Sequence, residues 1–513
     1  MTISSSNETV RLSRKVEEMQ PRLARSRLLA KKSSGWFASA EWFMLAVMAS
    51  IVALGVLVAL HHVESSRKVH VQSGMMVFGN TYVVNSTGDG DNDPFIRGCD
   101  DGTHHCTLRA AIQQANFHAG TDDITFNIPT SDPGFNNGTW TINLGKALDP
   151  LSESLNITGP GAYQLIVKRN SPTGFRIFDV TTTGIVNLSG LTISGGGAQQ
   201  GSGIYNEASG TLNVTNCALS GNAANGGFGG GVYNNGTAMI TNSAISDNTE
   251  AGSNGSGGGI YNNGTFTLTG STVSKNSSAT VGGGIYNLGS FNVTSTTISG
   301  NSAQGGGGIF NGGAATITNT TLRNNHGTRG GGIFTGGILM ITNSTLSGNY
   351  TIGLEGGGIY GAAGPVTIKN CTLFGNFSSA GGGIYADIGH IEIMSSTISG
   401  NSASGIFGGG GIYNSSGSVA VESSIIALNS AVGPGPDANG NFLSRGFNLI
   451  GNNNSAAGFD AATDQTGTST SPLDPKLDPN ELRNNGGPTQ TMRFFSAARQ
   501  SIKARAPFRP EVT

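Results

Sequence analysis

One phrase is repeated nine times between Gly201 and Ser430. Each copy has a run of glycines, a branched aliphatic residue, an aromatic residue and, after a short gap, alternating apolar and polar residues. Successive aromatic residues are 24 to 28 residues apart. Self-similarity at such a period is typical of a solenoid, in which each repeat is one unit stacked on the next. The nine aromatic residues are Tyr205, Tyr233, Tyr261, Tyr286, Phe310, Phe334, Tyr360, Tyr385 and Tyr413.

The alternation inside each repeat predicts strands rather than helices. In the third copy, residues 265–269 read Thr-Phe-Thr-Leu-Thr, which has the two-residue period of a strand with one buried face. Glycine and asparagine separate these stretches, as expected for tight turns between short strands. Strands pairing with their equivalents in the next turn would give an all-β, right-handed parallel β-helix (a solenoid) of about 11–13 turns. Its inward-facing residues would be Leu212/Val214, Met239, Phe266/Leu268, Phe291/Val293, Ala315/Ile317, Ile341, Val366/Ile368, Ile391/Ile393 and Val419/Val421.

Nine asparagines recur in phase with the aromatic residues, and we assign them a structural role. Identical amides stacked one per turn can hydrogen-bond along the axis as a ladder. The glycine run before each aromatic residue predicts a corner that needs a positive φ or a close approach between turns. The nine asparagines are Asn222, Asn248, Asn276, Asn301, Asn325, Asn349, Asn376, Asn401 and Asn429.

The composition is rich in glycine and poor in charge, with 82 Gly among 513 residues and 11% charged residues. Such a composition alone is compatible with disorder, but the in-phase aliphatic columns argue against it. The net charge of −2 gives no electrostatic support for a nucleic-acid partner. We therefore expect a folded rod that does not bind nucleic acid.

Residues 42–60 contain no charged side chain and are long enough to cross a bilayer as a helix. Residues 1–40 carry eight Lys or Arg and three acidic residues. The positive-inside rule therefore predicts a cytoplasmic 1–41 segment, a 42–60 membrane anchor, a 61–78 linker and an extracytoplasmic repeat region. A cleaved signal peptide is the alternative, and it would make the later residues a secreted protein.

The four cysteines form two pairs of different character. Cys99 and Cys106 lie close together ahead of the repeats, and we predict a disulfide between them in an oxidising compartment. Cys217 and Cys371 occupy the same position in the first and seventh repeats. Six turns at about 4.8 Å separate them, which is beyond disulfide reach, so both are predicted to be small buried residues.

The region ahead of the repeats resembles a known module. Residues 81–87, Cys99 and the run from Cys106 to Asn116 are similar to the CSLREA domain, with Thr107 and Ala110 where that domain has Ser and Glu. The resemblance implies that residues 79–137 are the N-terminal cap of a bacterial surface β-helix. Thr107 is able to N-cap a helix that reaches about Gly120 and covers the open end of the coil.

The later parts of the chain resemble the same class of protein. Residues 138–430 look like the right-handed β-helix repeats of pectin-lyase-like folds and of polymorphic outer-membrane proteins. Residues 446–451, 474–477 and 485–491 match the C-terminal segment usual in such surface proteins, which implies C-terminal turns and a cap over 431–495. From Phe494 onward the pattern departs from the family, and we expect 496–513 to be a disordered or altered tail.

The repeats contain few groups suited to catalysis. Only seven acidic residues occur between residues 196 and 430, with no Asp-Asp pair. The resemblance to pectin-lyase-like enzymes implies clustered carboxylates, with calcium for the lyases. The best available cluster is Glu392, Glu422 and Asp387 with His390, and we assign it to solvated surface rather than catalysis. No metal site and no cofactor are predicted.

Two columns of side chains are able to contact a ligand. The tyrosines would form a platform for sugars if they faced outward, and part of the core if they faced inward. A six-turn column of threonines would suit ice or glycans, although Thr also fits any solvent-facing strand position. The candidate binding tyrosines are Tyr205, Tyr233, Tyr261, Tyr286, Tyr360, Tyr385 and Tyr413. The threonine column is Thr215, Thr241, Thr269, Thr294, Thr318 and Thr342.

These observations favour a non-enzymatic, membrane-anchored extracellular β-helix that serves adhesion or another cell-surface interaction. Its partners would be the membrane, through residues 42–60, and a carbohydrate or another cell-surface molecule. The alternative is a polysaccharide lyase or glycoside hydrolase of pectin-lyase-like fold. A carboxylate cluster on one outer sheet would favour the enzyme.

Overall fold

The computed structural model describes residues 79–494, except for residues 97, 354 and 479–481. The chain divides into two units, Met1–Met76 and Val77–Thr513. The expectations for residues 1–41, 42–60, 61–78 and 496–513 fall outside the described residues. Within the part that is described, no helix is both long and apolar enough to span a bilayer.

The described chain is an all-β parallel solenoid of about 12 turns, which confirms the predicted fold class and number of turns. Each regular turn has a three-residue strand that carries the aromatic residue, a five-residue strand and a second three-residue strand. Equivalent strands of successive turns pair in parallel, and they form three walls that we call sheets I, II and III in chain order. Strands are numbered β1 to β49 along the chain.

Sheet I has 12 strands and carries the aromatic residues on its outer side. Its strands are β7 (Phe178–Val180), β10 (Ile204–Asn206), β14 (Val232–Asn234), β18 (Ile260–Asn262), β22 (Ile285–Asn287), β25 (Ile309–Asn311), β29 (Ile333–Thr335), β33 (Ile359–Gly361), β37 (Ile384–Ala386), β41 (Ile412–Asn414), β45 (Ala438–Asn441) and β48 (Ala456–Ala457).

Sheet II has 14 strands and contains the longest regular strands of the solenoid. Its strands are β1 (Thr81–Val84), β2 (Asp122–Phe126), β5 (Leu155–Thr158), β8 (Ile185–Ser189), β11 (Thr211–Thr215), β15 (Thr237–Thr241), β19 (Thr265–Thr269), β23 (Ser290–Thr294), β26 (Ala314–Thr318), β30 (Ile338–Thr342), β34 (Val366–Lys369), β38 (His390–Met394), β42 (Ser418–Glu422) and β46 (Leu443–Ser444).

Sheet III has 15 strands, and it is parallel apart from the antiparallel pair β3 and β4 at its start. Its strands are β3 (Phe135–Asn136), β4 (Thr139–Leu144), β6 (Leu165–Arg169), β9 (Thr192–Ser194), β12 (Ala218–Ser220), β16 (Ala244–Ser246), β20 (Thr272–Ser274), β24 (Thr297–Ser299), β27 (Thr321–Arg323), β31 (Thr345–Ser347), β35 (Thr372–Phe374), β39 (Thr397–Ser399), β43 (Ile425–Ala427), β47 (Leu449–Ile450) and β49 (Gln465–Thr466).

Two smaller parallel sheets follow sheet III in the regular turns. Isolated bridges through Ser302 join one to the other. The first consists of β13 (Ala223–Ala224), β17 (Thr249–Glu250) and β21 (Ser277–Ser278). The second consists of β28 (His326–Gly327), β32 (Tyr350–Thr351), β36 (Phe377–Ala380), β40 (Ser402–Gly408) and β44 (Ser430–Ala431).

The core is a stack of aliphatic side chains that point inward from all three walls. Sheet II places Leu212, Ala238 and Phe266 in one column, because these residues are direct partners on adjacent strands. The prediction of Met239 as the core residue of its turn was wrong, since Ala238 and Ile240 are buried and Met239 is 45% exposed. The small Ala238 pairs with the large, buried Phe266 on the next strand, so the two-residue period of inward residues holds in this turn as well.

The glycine run makes the corner before each sheet I strand for two different reasons. Gly306 has a φ of 62°, which glycine adopts without steric cost. The next residue, Gly307, has no room for a side chain, because a Cβ would lie 2.1 Å from the carbonyl oxygen of His326 in the following turn. The run therefore supplies both the turn and the close approach between turns.

The single described helix, α1 (Leu108–Phe117), lies between β1 and β2 in the chain. The Thr107 hydroxyl accepts a hydrogen bond from the backbone N–H of Ala110 at 3.0 Å and so caps the helix. Leu108 and Ile112 are buried in the same hydrophobic core as the first strands. Arg109 is also buried, and its guanidinium lies 2.7 Å from the Asp89 carboxylate.

A disulfide joins Cys99 and Cys106 immediately ahead of the helix, with their Cα atoms 5.0 Å apart. At the other end of the solenoid, the rings of Phe442 and Phe459 stack at 5.0 Å in the last turns. The segment that follows returns along the rod, and Thr489 contacts Thr345 on sheet III. The two ends of the described chain are thus built differently from the repeats between them.

Candidate functional site

The nine aromatic residues form one continuous column on the outer side of sheet I. They are partners residue for residue along the sheet, from Tyr205 paired with Tyr233 to Tyr385 paired with Tyr413. Neighbouring ring centroids are 4.7 to 5.2 Å apart. Ring planes are within 22° of parallel except for the last pair, which is tilted by 35°.

This stacking covers the ring faces that a sugar would need. Every interior ring has an aromatic neighbour on both sides, and the Arg176 guanidinium lies 4.4 Å from the ring centroid of Tyr205 at the start of the column. Burial raises the pKa of Tyr261 to about 12. The column therefore offers ring edges and hydroxyls to solvent rather than stacking platforms.

The nine asparagines form a buried ladder at the corner that follows sheet III. The side-chain amide of each of the first eight donates to the side-chain oxygen of the next asparagine, at 2.9 to 3.0 Å. Each amide oxygen also accepts the backbone N–H of the previous asparagine, as Asn325 does from Asn301 at 3.0 Å. The Asn325 amide donates further to the carbonyl of Ile298 at 3.0 Å. Every amide is thus satisfied inside the rod, as buried polar groups require.

A second buried amide ladder lies in sheet I. The residue after each of the first five aromatics is an asparagine, and their side chains are linked at 2.7 to 2.8 Å. The ladder ends where Asn311 donates to the Thr335 hydroxyl at 3.1 Å. Sequence reasoning missed it, although the in-phase asparagine after the aromatic residue was the signal. Its members are Asn206, Asn234, Asn262, Asn287 and Asn311.

The structure brings the candidate tyrosine Tyr360 and the candidate acid Asp387 together beside sheet I. The Tyr360 hydroxyl donates to the Asp387 carboxylate at 2.9 Å. Burial raises the pKa of Tyr360 well above its usual range, and the hydrogen bond to Asp387 adds to the effect. Beside them, Arg329 pairs with Glu355 at 3.2 Å and lies 5.8 Å from the ring centroid of Tyr360. A phenol held protonated in this way is a poor proton acceptor at neutral pH.

Glu392 lies elsewhere, on the outer side of sheet II. Its carboxylate is 2.7 Å from Arg445 and 3.4 Å from His390. The hydrogen bond from Arg445 holds the pKa of Glu392 below its ordinary value, and His390 acts in the same direction. Glycosidic bond cleavage needs a carboxylic acid whose pKa is raised, so Glu392 has the opposite tuning.

Glu422 is two positions out of register with Glu392, because Glu392 pairs with Ala420 and Met394 pairs with Glu422. In the described part of the chain, no hydrogen bond or ion pair joins Glu392, Glu422 and Asp387 to one another. No group of three or more His, Cys, Asp or Glu residues suited to a metal ion occurs among residues 79–494 as described. The three weak catalytic candidates are therefore dispersed over two walls.

The outer side of sheet II is an uncharged polar surface over eight consecutive strands. No Asp, Glu, Lys, Arg or His occurs in β5, β8, β11, β15, β19, β23, β26 or β30. The six predicted threonines lie on this face in one column, from Thr215 paired with Thr241 to Thr318 paired with Thr342. Beside them runs a column of Asn, Met and Thr that includes the exposed Met239 and Met340.

Cys217 and Cys371 occupy a column that is otherwise filled by serine and threonine. The Cys217 thiol is 3.4 Å from the carbonyl of Thr215, and the hydroxyl of Ser243 makes the equivalent contact to Thr241 at 2.8 Å in the next turn. Both thiols are buried and free. Burial raises the pKa of each to about 11. They are structural substitutes for serine rather than reactive groups.

No protein-family model matches the chain, and no curated protein matches it either. Among solved structures, the chain is similar to Geobacillus virus E2 ORF18, with 11% sequence identity and a TM-score of 0.24. The match covers 66% of this chain and 57% of that one, so the chain spans little more than half the length of the protein that it matches. A likeness of this size carries no argument about function.

Proposed function

We propose that the chain is a non-enzymatic surface protein that binds a neutral carbohydrate polymer through the outer side of sheet II. The observation that carries this proposal is the uncharged face of eight strands. At about 4.8 Å per strand the face is about 34 Å long, enough for several sugar residues. Hydroxyl and amide side chains there match the hydrogen-bonding groups of a neutral glycan, and the exposed methionines suit its apolar ring edges.

Rigidity supports a binding role for this face. Two buried amide ladders and the aromatic column hold successive turns in register, so the outer threonines have fixed spacing before a ligand arrives. Preorganised contacts lose little conformational entropy on binding. A long repetitive ligand would meet the same arrangement of groups at every turn.

The proposal includes an extracytoplasmic location. The disulfide between Cys99 and Cys106 supports an oxidising compartment. We place the right-handed coil outside the cell, with α1 as part of an N-terminal cap and residues 42–60 as the membrane anchor, or as a cleaved signal in the alternative. Adhesion or another cell-surface contact is then the role of the rod, by analogy with other surface β-helices.

The proposal is tested with the unit Val77–Thr513 on an array of neutral and acidic glycans. We expect saturable binding to neutral glycans, weakened at least tenfold by Thr267→Lys with Thr316→Lys on the outer side of sheet II. The control is Ser246→Lys on sheet III, which adds charge elsewhere. Absence of binding to any neutral glycan, or equal loss in the control, would contradict the proposal.

A polysaccharide lyase or glycoside hydrolase is the second candidate function. The close pair of Tyr360 and Asp387 with Arg329 is the arrangement that most favours it, because it gathers a phenol, an acid and a cation on one wall. The protonated state of Tyr360 and the dispersed acids weigh against it. Unsaturated products or new reducing ends from a polysaccharide, lost on Asp387→Asn, would establish an enzyme.

A further inference from the structure

The C-terminal segment shows how this solenoid holds a short hairpin loop against its outside, because an antiparallel bridge between Arg483 and Thr491 closes the loop that carries Thr489. Thr345 Oγ1 lies 2.9 Å from Thr489 Oγ1 and 2.5 Å from the carbonyl oxygen of Gln490. The Thr489 hydroxyl also contacts the carbonyl oxygen of Asn343 at 3.3 Å. Thr345 is consequently only 1% exposed. The contact joins residues 144 positions apart, so it is a docking contact rather than a local turn.

Asn343 belongs to a corner between sheets II and III that recurs in every regular turn. Its φ is 52°, and Asn216 and Asn242 have φ values of 54° and 48° at the equivalent positions. Asparagine and glycine tolerate this left-handed conformation better than most residues. In the described chain, no N–H or O–H donates to the carbonyl oxygens of Asn216, Asn242 or Gly270. The corner thus repeats an acceptor of the kind that Thr489 uses.

The same corner is an open groove in the earlier turns. A cavity of about 600 Å³ is lined there by residues of five successive corners, among them Gly159, Gly190, Asn216, Asn242 and Gly270. Four spacings of about 4.8 Å make the groove about 19 Å long.

The floor of the groove is the sheet III column that contains Thr345. Its members in these turns are Ala218, Ala244 and Thr272, which pair in register. Two turns separate the groove from the place where Thr489 is seated. Thr272 is exposed, so its hydroxyl is accessible to a ligand. It could donate to a ligand carbonyl as the Thr345 hydroxyl donates to the carbonyl of Gln490.

We propose that this groove binds a glycine-rich and threonine-bearing loop segment supplied by a partner protein. The segment would run across the corner as Pro488-Thr489-Gln490 does, with its threonine hydroxyl donating to a corner carbonyl and a backbone carbonyl accepting from Thr272. The proposed hydrogen bonds are those that the C-terminal segment of this chain makes with Thr345 and Asn343. They do not depend on any ligand that binds sheet II. Because the local segment is already engaged at Thr345, a separate polypeptide is the occupant that the geometry favours.

The test is fluorescence anisotropy with the full chain and a labelled peptide of residues 483–494 as probe. We expect saturable binding that Ala244→Arg weakens at least tenfold, and that a Thr-to-Val change at position 489 of the peptide also weakens. Thr397→Arg, on the same face outside the groove, should leave binding unchanged. Thermal unfolding of the two arginine variants checks that both remain folded, and the altered peptide tests the contact without changing the protein.

Two results would overturn the proposal. Absence of saturable binding, or binding that Ala244→Arg leaves unchanged, would remove the groove as the peptide site. Concentration-dependent self-association of the chain that Ala244→Arg abolishes would give the groove to a second copy instead of a partner.

Discussion

The side-chain amide of Asn429 donates to the carboxylate of Asp437 at 2.9 Å, so a buried ladder of neutral amides ends on an acid. The same carboxylate accepts the backbone N–H groups of Asn429 and Asn452, at 2.9 and 2.8 Å. An ionised carboxylate only accepts hydrogen bonds, so it ends a series in which each amide donates to the next group. Burial raises the pKa of Asp437 above its ordinary value despite these donors.

Asp437 is expected to make stability depend on pH in a defined direction. A raised pKa in the folded state means that the contribution of this group is fully present below its ordinary pKa and is lost as the pH rises through the raised pKa. The advantage of the wild-type chain over Asp437→Asn should therefore shrink from about pH 4 upward. Urea unfolding of both proteins across this range measures the difference.

Asp437→Leu supplies the control at neutral pH. It leaves three N–H donors without an acceptor, and each buried donor costs about 1–3 kcal/mol, partly offset by removal of the buried charge. A loss of roughly 2 kcal/mol or more is expected. If the stability advantage of the wild-type chain over Asp437→Asn instead grows with rising pH, the folded structure stabilises the ionised carboxylate. That result would contradict the prediction.

The repeat period made the solenoid predictable, because the position of Tyr233 over Tyr205 follows directly from stacking units of equal length. The prediction was wrong at Met239, where the adjacent residues Met239 and Ile240 are both apolar. The large Met239 was assigned to the core in place of the small Ala238, which has the correct register. The register was nevertheless present in the sequence, because aligning Thr241 with Thr215 places Ala238 and Ile240 opposite the inward Leu212 and Val214.

The candidate sites were less accessible to sequence reasoning, because they depend on contacts that the repeat period does not reveal. Tyr360 and Asp387 meet because a corner of one turn lies beside the strand of the previous one, which periodicity alone does not reveal. The return of Thr489 to Thr345 depends on the path of an irregular segment with no repeat to phase it. Regular contacts follow from the period, whereas contacts between a repeat and a non-repeating segment do not.

The interior of the amide ladder should be far more sensitive than the surface. Asn325→Leu removes the acceptor for the backbone and side-chain N–H groups of Asn301 and the donor to Ile298. With the amide oxygen of Asn349, four buried groups lose a hydrogen bond, so we expect a loss of at least roughly 3 kcal/mol in the free energy of unfolding. The matched control is Asn292→Leu on the exposed face of sheet II, expected to change stability by about 0.5 kcal/mol or less. Chemical unfolding compares the two, and similar losses would refute the assigned role.

Cys217 and Cys371 should not react while the protein is folded. Both are buried, and with a pKa of about 11 each is almost wholly in the unreactive thiol form between about pH 7 and pH 9. Without reductant, a thiol-reactive chromogenic disulfide should label neither in the native protein and both after denaturation, with Cys99 and Cys106 protected by their disulfide. Cys217→Ser should cost no more than about 1 kcal/mol, because serine fills the equivalent position in the next turn. Rapid labelling of the native chain would contradict this assignment.

The aromatic column is expected to stabilise the rod without contacting a glycan. Tyr261 stacks on Tyr233 and Tyr286 at 4.7 and 5.0 Å, so Tyr261→Leu removes two aromatic pairs. At about 0.5–1.5 kcal/mol for each pair beyond the buried area, the free energy of unfolding should fall by roughly 1–3 kcal/mol. Tyr261→Phe is the control, because it keeps both stacks and removes only the hydroxyl, and it should stay close to the wild type. Glycan binding should be unchanged in both variants, since the ring faces are covered in the native column. Loss of glycan binding in Tyr261→Leu, with the fold retained by circular dichroism, would move the binding surface from sheet II to sheet I.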